Sequence, residues 1–282
     1  MPFPTATITQ GSGLTINTLP NAGQAAMANS LGVAIASDQS PVPVTSMNSG
    51  AITNPTALLT RPSSANTASV TQTIASPSVF TWLGNPLVSG QTVILGGSPA
   101  TGFSTGVPYY VVAVAGNTFQ LASTFGGAGI AGTGSSSAVT ATLVYIPGAL
   151  IASSATSPVV PSFAIATSGG GVILPRIRVL TSATSGWGGA NLSVNLWSAA
   201  PTYTNADGQP YAPTGAATWL ANFLVSLTQF NDGAAGGGGL TGAAHLALKL
   251  ASGTAVFADI QALSAQNPFA SQTFTIVPEL LN

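Results

Sequence analysis

ILPRIRVLTSATSGWGGANLSVNLW, residues 173–197, decides the fold. In Arg176-Ile177-Arg178-Val179 the two arginines share one face and the apolar residues the other, which is the two-residue period of a β-strand. Asn191-Leu192-Ser193-Val194-Asn195-Leu196 repeats the alternation, with the glycine-flanked turn SGWGG between. Downstream, Leu246, Leu248 and Leu250 line one side of a run whose other side carries His245 and Lys249. Val256, Ala258 and Ile260 alternate with Phe257, Asp259 and Gln261, and Phe274 and Ile276 with Thr273 and Thr275. Ala206-Asp207-Gly208 supplies a turn, and no long run with a 3.6-residue period competes. Residues 151–282 therefore predict a C-terminal antiparallel β-sandwich, jelly-roll-like, in an all-β chain. Roughly 130 residues bury close to two-thirds of the unfolded surface, enough for one core.

Upstream, residues 72–150 predict a small β module with strands over Val79 to Leu83, Gln91 to Leu95, Pro108 to Ala115, Thr118 to Ser123 and Ala138 to Ile146. Ala115-Gly116-Asn117 between β-branched and aromatic runs is a hairpin signal. FGGAGIAGTGSSS, residues 125–137, reads as a glycine-rich loop. Residues 51–71, rich in Thr, Ser, Asn and Pro, read as a linker. Residues 1–50 hold little that could form a core and predict an extended N-terminal arm. Its central stretch is LGVAIASDQSPVPV, residues 31–44: Leu31, Val33 and Ile35 alternate, Asp38 is the first charge, and Pro41-Val42-Pro43-Val44 is held extended by its prolines. Neither proline donates a backbone hydrogen bond, so the segment suits an arm or edge strand laid along another surface.

Composition limits the function. Only 3% of the 282 residues are charged, against about 25% in ordinary soluble domains. No charged side chain lies between Arg61 and Arg176. Lys249 and three arginines cannot neutralise a run of phosphates, so no nucleic-acid partner is expected. The longest apolar run, Val107 to Ala115, is too short to span a bilayer as a helix and ends at Gly116-Asn117. MPFPTATITQ lacks a basic segment followed by an apolar one, so neither a secretory signal nor an exported membrane barrel is expected. Ser, Thr, Asn and Gln are left to wet the surface, with 33 glycines and 20 prolines at the turns. A formal net charge of −1 opposes self-association poorly, which points to life inside a large assembly.

Candidate chemistry is sparse. With one histidine and no cysteine, a nucleophilic site would need His245 oriented by Asp232 or Asp259, yet His245 reads as an exposed strand residue. The same counts exclude a histidine or thiolate zinc site, and no metal or cofactor is expected. Of the acids available for glycoside hydrolysis, Asp207 and Asp232 precede glycine in turns, Asp259 alternates outward in a strand, and Glu279 follows Pro278 near the end. Gly236 to Gly239 lacks the strand, helix and following lysine of a phosphate-binding loop and reads as a flexible loop. Trp82, Trp187, Trp197 and Trp219, with Tyr109, Tyr110, Tyr203 and Tyr211, offer either core anchors or sugar-stacking platforms. Trp187, in its glycine-flanked turn, is the candidate for an exposed glycan contact.

Three motifs carry a resemblance. NSLGVAIASDQSPVPV, residues 29–44, resembles the SLPVVLASDQSAVPV type of segment near the N-terminus of bacteriophage head-fibre and decoration proteins. TGVPYYVVAVAGNTFQLASTFGGAGI, residues 105–130, is similar to a small β module that phages insert into fibre and decoration proteins. The stretch opening this section, continued through SAAPTYTNADGQPY, looks like a β-sandwich encoded beside phage capsid genes. The chain thus resembles a tailed-bacteriophage virion structural protein of the capsid-decoration or head-fibre type. That resemblance implies a non-enzymatic component assembled into virions in the host cytoplasm, away from membranes. Its partners would be the major capsid protein or other virion proteins and copies of itself, most simply in a trimer. Leu31, Val33, Ile35, Asp38, Pro41, Val42, Pro43 and Val44 are expected to attach it, and Arg176 and Arg178 to mark a contact between subunits. The alternative is a tail or fibre protein binding a host receptor or surface glycan. A capsule depolymerase ranks third, because no fixed-period repeat of a β-helix is visible.

Overall fold

Strands Gly171–Thr181 and Thr273–Leu281 pair antiparallel at the centre of one sheet. This computed structural model describes residues 9–10, 14–15, 52–165, 171–183, 186–215, 218–229, 237–240 and 246–281. The chain divides into two units, Met1–Ser46 and Met47–Asn282. In the first, Thr9–Gln10 pairs antiparallel with Leu14–Thr15. The attachment residues from Leu31 to Val44 lie outside the described residues, as do Asp232 and His245.

Two sheets form the C-terminal sandwich. The first runs Thr228–Gln229, Gly237–Leu240, Gly171–Thr181, Thr273–Leu281, Ile52–Thr53, with Leu246–Lys249 also on Gly171–Thr181 and Ala57–Thr60 also on Thr273–Leu281. The second runs Leu150–Ile151, Ala255–Ala262, Asn191–Trp197, Trp219–Ser226, with Ser162–Ala164 also on Ala255–Ala262. The inward sets predicted from alternation meet between them: Ile177, Val179, Phe274 and Ile276, joined by Val172 and Leu174 of the same long strand, pack with Leu192, Val194, Leu196, Val256, Ala258 and Ile260 in one core. Each such side chain contributes about 1.5–3 kcal/mol by leaving water. Arg176 and Arg178 stay on the exposed face.

Proline explains how the long strand is shared. Its first four residues pair with Leu246–Lys249 and its last four with Gly237–Leu240. Pro175, which has no N–H to donate, lies between the two partners. The glycine run is accordingly no flexible loop: Gly237–Leu240 is a strand. A Cβ at Gly239 would collide with the Ser226 carbonyl and lie 2.6 Å from Val225 Cγ1. Glycine there lets two strands approach closely.

The smaller module is a closed barrel. Its seven-stranded order is Thr67–Ser69, Ser137–Leu143, Thr92–Ser98, Pro108–Ala115, Thr118–Ala122, Val79–Thr81, Thr71–Thr73. The first and last of these are one continuous segment, joined at Val70, whose N–H donates to the Val139 carbonyl at 2.9 Å. One stretch thus pairs with both ends of the sheet, its first half on one and its second half on the other, and closes the sheet on itself. Phe80 stacks on Phe119 at 5.6 Å and meets Phe103 edge-on at 5.2 Å in the interior. The predicted hairpin forms, with Gly116 at φ +57° in its turn. The expected linker, residues 51–71, is largely structural, since it supplies Ala57–Thr60 to the sandwich and Thr67–Ser69, the first closing strand, to the barrel.

Candidate functional site

Two carboxylates organise the polar interior, and both were weighed above as acids for catalysis. Asp207 sits in the predicted turn, where Gly208 takes φ +76°. Its Oδ2 accepts from Arg61 Nη2 at 2.6 Å, while its Oδ1 accepts from the Tyr145 hydroxyl at 2.6 Å and the Ala152 N–H at 2.9 Å. Arg61 and Asp207 are each 1% exposed. Arg61 Nη1 donates to the Phe269 carbonyl at 2.5 Å, and its guanidinium lies 5.1 Å from the centre of the Tyr145 ring. Gln91 Nε2 donates to the Asp207 carbonyl at 2.8 Å, tying in the barrel. Burial pulls the Arg61 pKa down, but Tyr145 and Asp207 more than offset it and leave it raised. Burial, and then the Asp207 charge, hold the Tyr145 phenol well above its ordinary value. A buried pair like this adds little net stability over an apolar replacement, whereas losing one partner strands a charge. Its consequence is a defined junction of linker, barrel and sandwich.

Asp259 is the second. The alternation correctly puts it on the outer face of the sheet, in register with Asn195. It is nevertheless only 2% exposed, because the paired strands Thr202–Tyr203 and Pro213–Thr214 bring tyrosines over it. Oδ1 accepts from Asn195 Nδ2 at 2.9 Å, and Oδ2 from Trp197 Nε1 at 2.7 Å, Tyr203 OH at 2.5 Å and Tyr211 OH at 3.1 Å. Burial raises its pKa, and the four hydrogen bonds oppose that without cancelling it. The phenols of Tyr203 and Tyr211 are pushed up by burial and then by the Asp259 charge. With their lone pairs taken by fixed donors, Asp207 and Asp259 hold structure rather than present an acid or nucleophile to a substrate.

The other predicted residues separate. Arg176 pairs within its own chain, Nε to Glu279 Oε2 at 2.6 Å, across the register that sets those residues side by side. Arg178 is exposed and makes no ion pair among the described residues. Trp187 overturns the glycan expectation: it is fully buried, donates Nε1–H to the Asn267 carbonyl at 3.1 Å, and packs 5.1 Å from Phe274 and 6.2 Å from Tyr145. Its flanking glycines are turn geometry around a core anchor. Trp219, by contrast, is 49% exposed. A cleft of about 480 Å³ between the modules is lined by neutral residues including Ile94, Pro108, Val144, Ile146, Asn267 and Phe269. Among the described residues no group of three His, Cys, Asp or Glu comes together to hold a metal.

Sequence reasoning missed both networks because their partners are remote: Arg61 and Asp207 are 146 residues apart. One signal was available for the second, namely Asn195 and Asp259 alternating outward from neighbouring strands near two tyrosines. Fold and site together define an all-β body, a closed barrel joined to an antiparallel sandwich, whose buried carboxylates serve its architecture. No protein-family model matches the chain, and no curated protein matches it.

Proposed function

We propose that the chain is a non-enzymatic structural protein of a tailed-bacteriophage virion, decorating or projecting from the capsid and attached through its N-terminal arm. The observation that carries the reading is where the charge sits. Asp207, Asp259 and Arg61 are buried in the two networks, and Glu279 pairs with Arg176. The barrel has no charged residue at all. Among the described residues only Arg178 and Lys249 are charges left outside these pairs and networks, too few to bind a run of phosphates or to supply acid–base chemistry, and the surface around them suits close contact with neighbouring subunits. The arm sequence ASDQSPVPV supports the phage assignment, and the extended run expected from its prolines would offer the partner edge-pairing groups and apolar side chains. Deleting residues 1–50 tests the reading. Virions assembled with the truncated chain should lack it, and normal incorporation would contradict arm attachment.

A receptor- or glycan-binding fibre is the second reading, favoured by the exposed indole of Trp219. A glycan array with saturable binding, lost in Trp219→Ala but kept in a surface control, would establish it. No binding on such an array leaves the capsid role in front.

A further inference from the structure

We infer that the barrel carries a binding site for a neutral sugar, in the pocket that the strands Pro108–Ala115 and Thr118–Ala122 form with the glycine-rich loop after them. The pocket measures about 410 Å³, within the range of small-molecule sites. Its lining includes Phe125, an aromatic side chain 50% exposed. That ring is held in place: it meets Tyr110 edge-on at 5.9 Å, and a Cβ at Gly90 would stand 2.7 Å from its Cε2. Gly90, at φ +93°, therefore makes room for it. The loop itself is tied down, since Gly127 N–H donates to the Thr124 carbonyl at 3.0 Å and Ile130 N–H to the Leu121 carbonyl at 2.8 Å.

Gln120 lines the same pocket, half-buried, and its carboxamide has no hydrogen-bond partner among the described residues. One acceptor and two donors are left for the hydroxyls of a ligand. A Cβ at Gly129 would come 2.5 Å from Gln120 Oε1, so glycine in the loop leaves the amide its place. Ala113, also in the lining, takes φ +49° in a bulge between the pairs Ala115–Thr118 and Val112–Gln120. Alanine adopts that conformation only at a cost, and bulges and strain of this kind gather at binding sites. Together these contacts select the ligand. The electron-rich face of an aromatic ring attracts the C–H bonds of a sugar, and an amide reads its hydroxyls. No charged residue stands in the barrel, so an anionic sugar would give up hydration with no cation in return. A peptide finds no strand to join there, because Thr118–Ala122 already pairs with Pro108–Ala115 and Val79–Thr81, and Pro108–Ala115 also with Thr92–Ser98.

The site does not depend on attachment through the arm, and it is separate from the exposed indole of Trp219. The test places the full chain on an array of neutral oligosaccharides beside sialylated and sulfated ones, followed by calorimetric titration with the neutral sugar bound best. Saturable binding to neutral sugars alone is the expected result. Phe125→Ala should weaken it about tenfold or more, and Gln120→Leu about tenfold, the worth of one hydrogen bond. Circular dichroism should match the parent chain in both variants. Leu83→Ala, which trims an exposed side chain outside the pocket, should bind as the parent does. Four results would overturn the proposal: no neutral sugar bound, binding confined to the acidic glycans, binding unchanged in both pocket variants, or binding lost in Trp219→Ala and kept in Phe125→Ala. Incorporation of the chain into virions is read separately, so either reading can fail without the other.

Discussion

The barrel and the sandwich solve the same problem, covering β-sheet, in opposite ways. The barrel has no ionisable network; it closes its sheet by pairing one segment, Thr67 to Thr73, with both ends, and fills the interior with aromatic rings. The sandwich leaves a sheet face outside and covers part of it with Tyr203 and Tyr211 clasping Asp259, while Arg61 and Asp207 lock it to the linker. The difference teaches where this nearly uncharged chain keeps its buried charges, Arg61, Asp207 and Asp259: at contacts whose geometry closure alone does not define.

The largest effects should come from breaking each device. Asp207→Ala leaves Arg61 buried without its partner and should cost about 3–5 kcal/mol. Phe119→Ala empties part of the barrel and should cost a similar amount, about 3–5 kcal/mol, through a cavity alone. Chemical denaturation distinguishes them, because adding Arg61→Met to Asp207→Ala should recover much of the first loss and none of the second. If the double variant is no more stable than Asp207→Ala, the junction is not held by the ion pair.

Next comes the glycine strand. Gly239→Ala must displace the backbone at Ser226, and about 1–3 kcal/mol is the expected loss, read as a lower thermal midpoint. An unchanged midpoint would mean that the approach of the two strands is not tight.

The sandwich should also carry a pH dependence. Asp259 has a folded pKa raised above the ordinary 3.8, so the folded state binds more protons and its contribution to stability falls as pH rises from that value to the raised one. At the alkaline end, Tyr145, Tyr203 and Tyr211 have folded pKa values above the ordinary 10.0. Their contribution is complete below pH 10 and is lost as pH rises beyond it, because only the unfolded chain releases those protons. Ultraviolet titration should show these three phenols ionising with unfolding, and Tyr203→Phe plus Tyr211→Phe should flatten the alkaline slope. Tyr203→Phe alone removes one hydrogen bond to a charged group, a loss of about 1.5–3 kcal/mol at neutral pH. The smallest effect belongs to Arg176→Ala. Its pair with Glu279 is partly exposed, and less than about 1 kcal/mol should be lost in the same denaturation assay.

Much of the sandwich was legible, because a period of two with one buried face leaves a direct mark: Ile177 and Val179 in, Arg176 and Arg178 out. The hairpin at Gly116 was legible for a local reason, its turn chemistry. The barrel's closure was not, since Thr67 to Thr73 carries no large apolar alternation and draws its place from backbone pairing with remote strands. Gly237–Leu240 was hidden because glycine marks both loops and close strand contacts. Trp187 misled for the same reason, as flanking glycines describe the backbone and say nothing of where the indole goes. Asp207 looked like a turn residue and is one, but its carboxylate reaches partners no local window contains.

The central claim, attachment through the arm, is tested most directly by moving the arm. Residues 1–50 fused to an unrelated soluble reporter and expressed during phage assembly should carry the reporter into purified virions, at the expense of the full chain. Virions that hold the full chain but exclude the fused reporter would contradict the account.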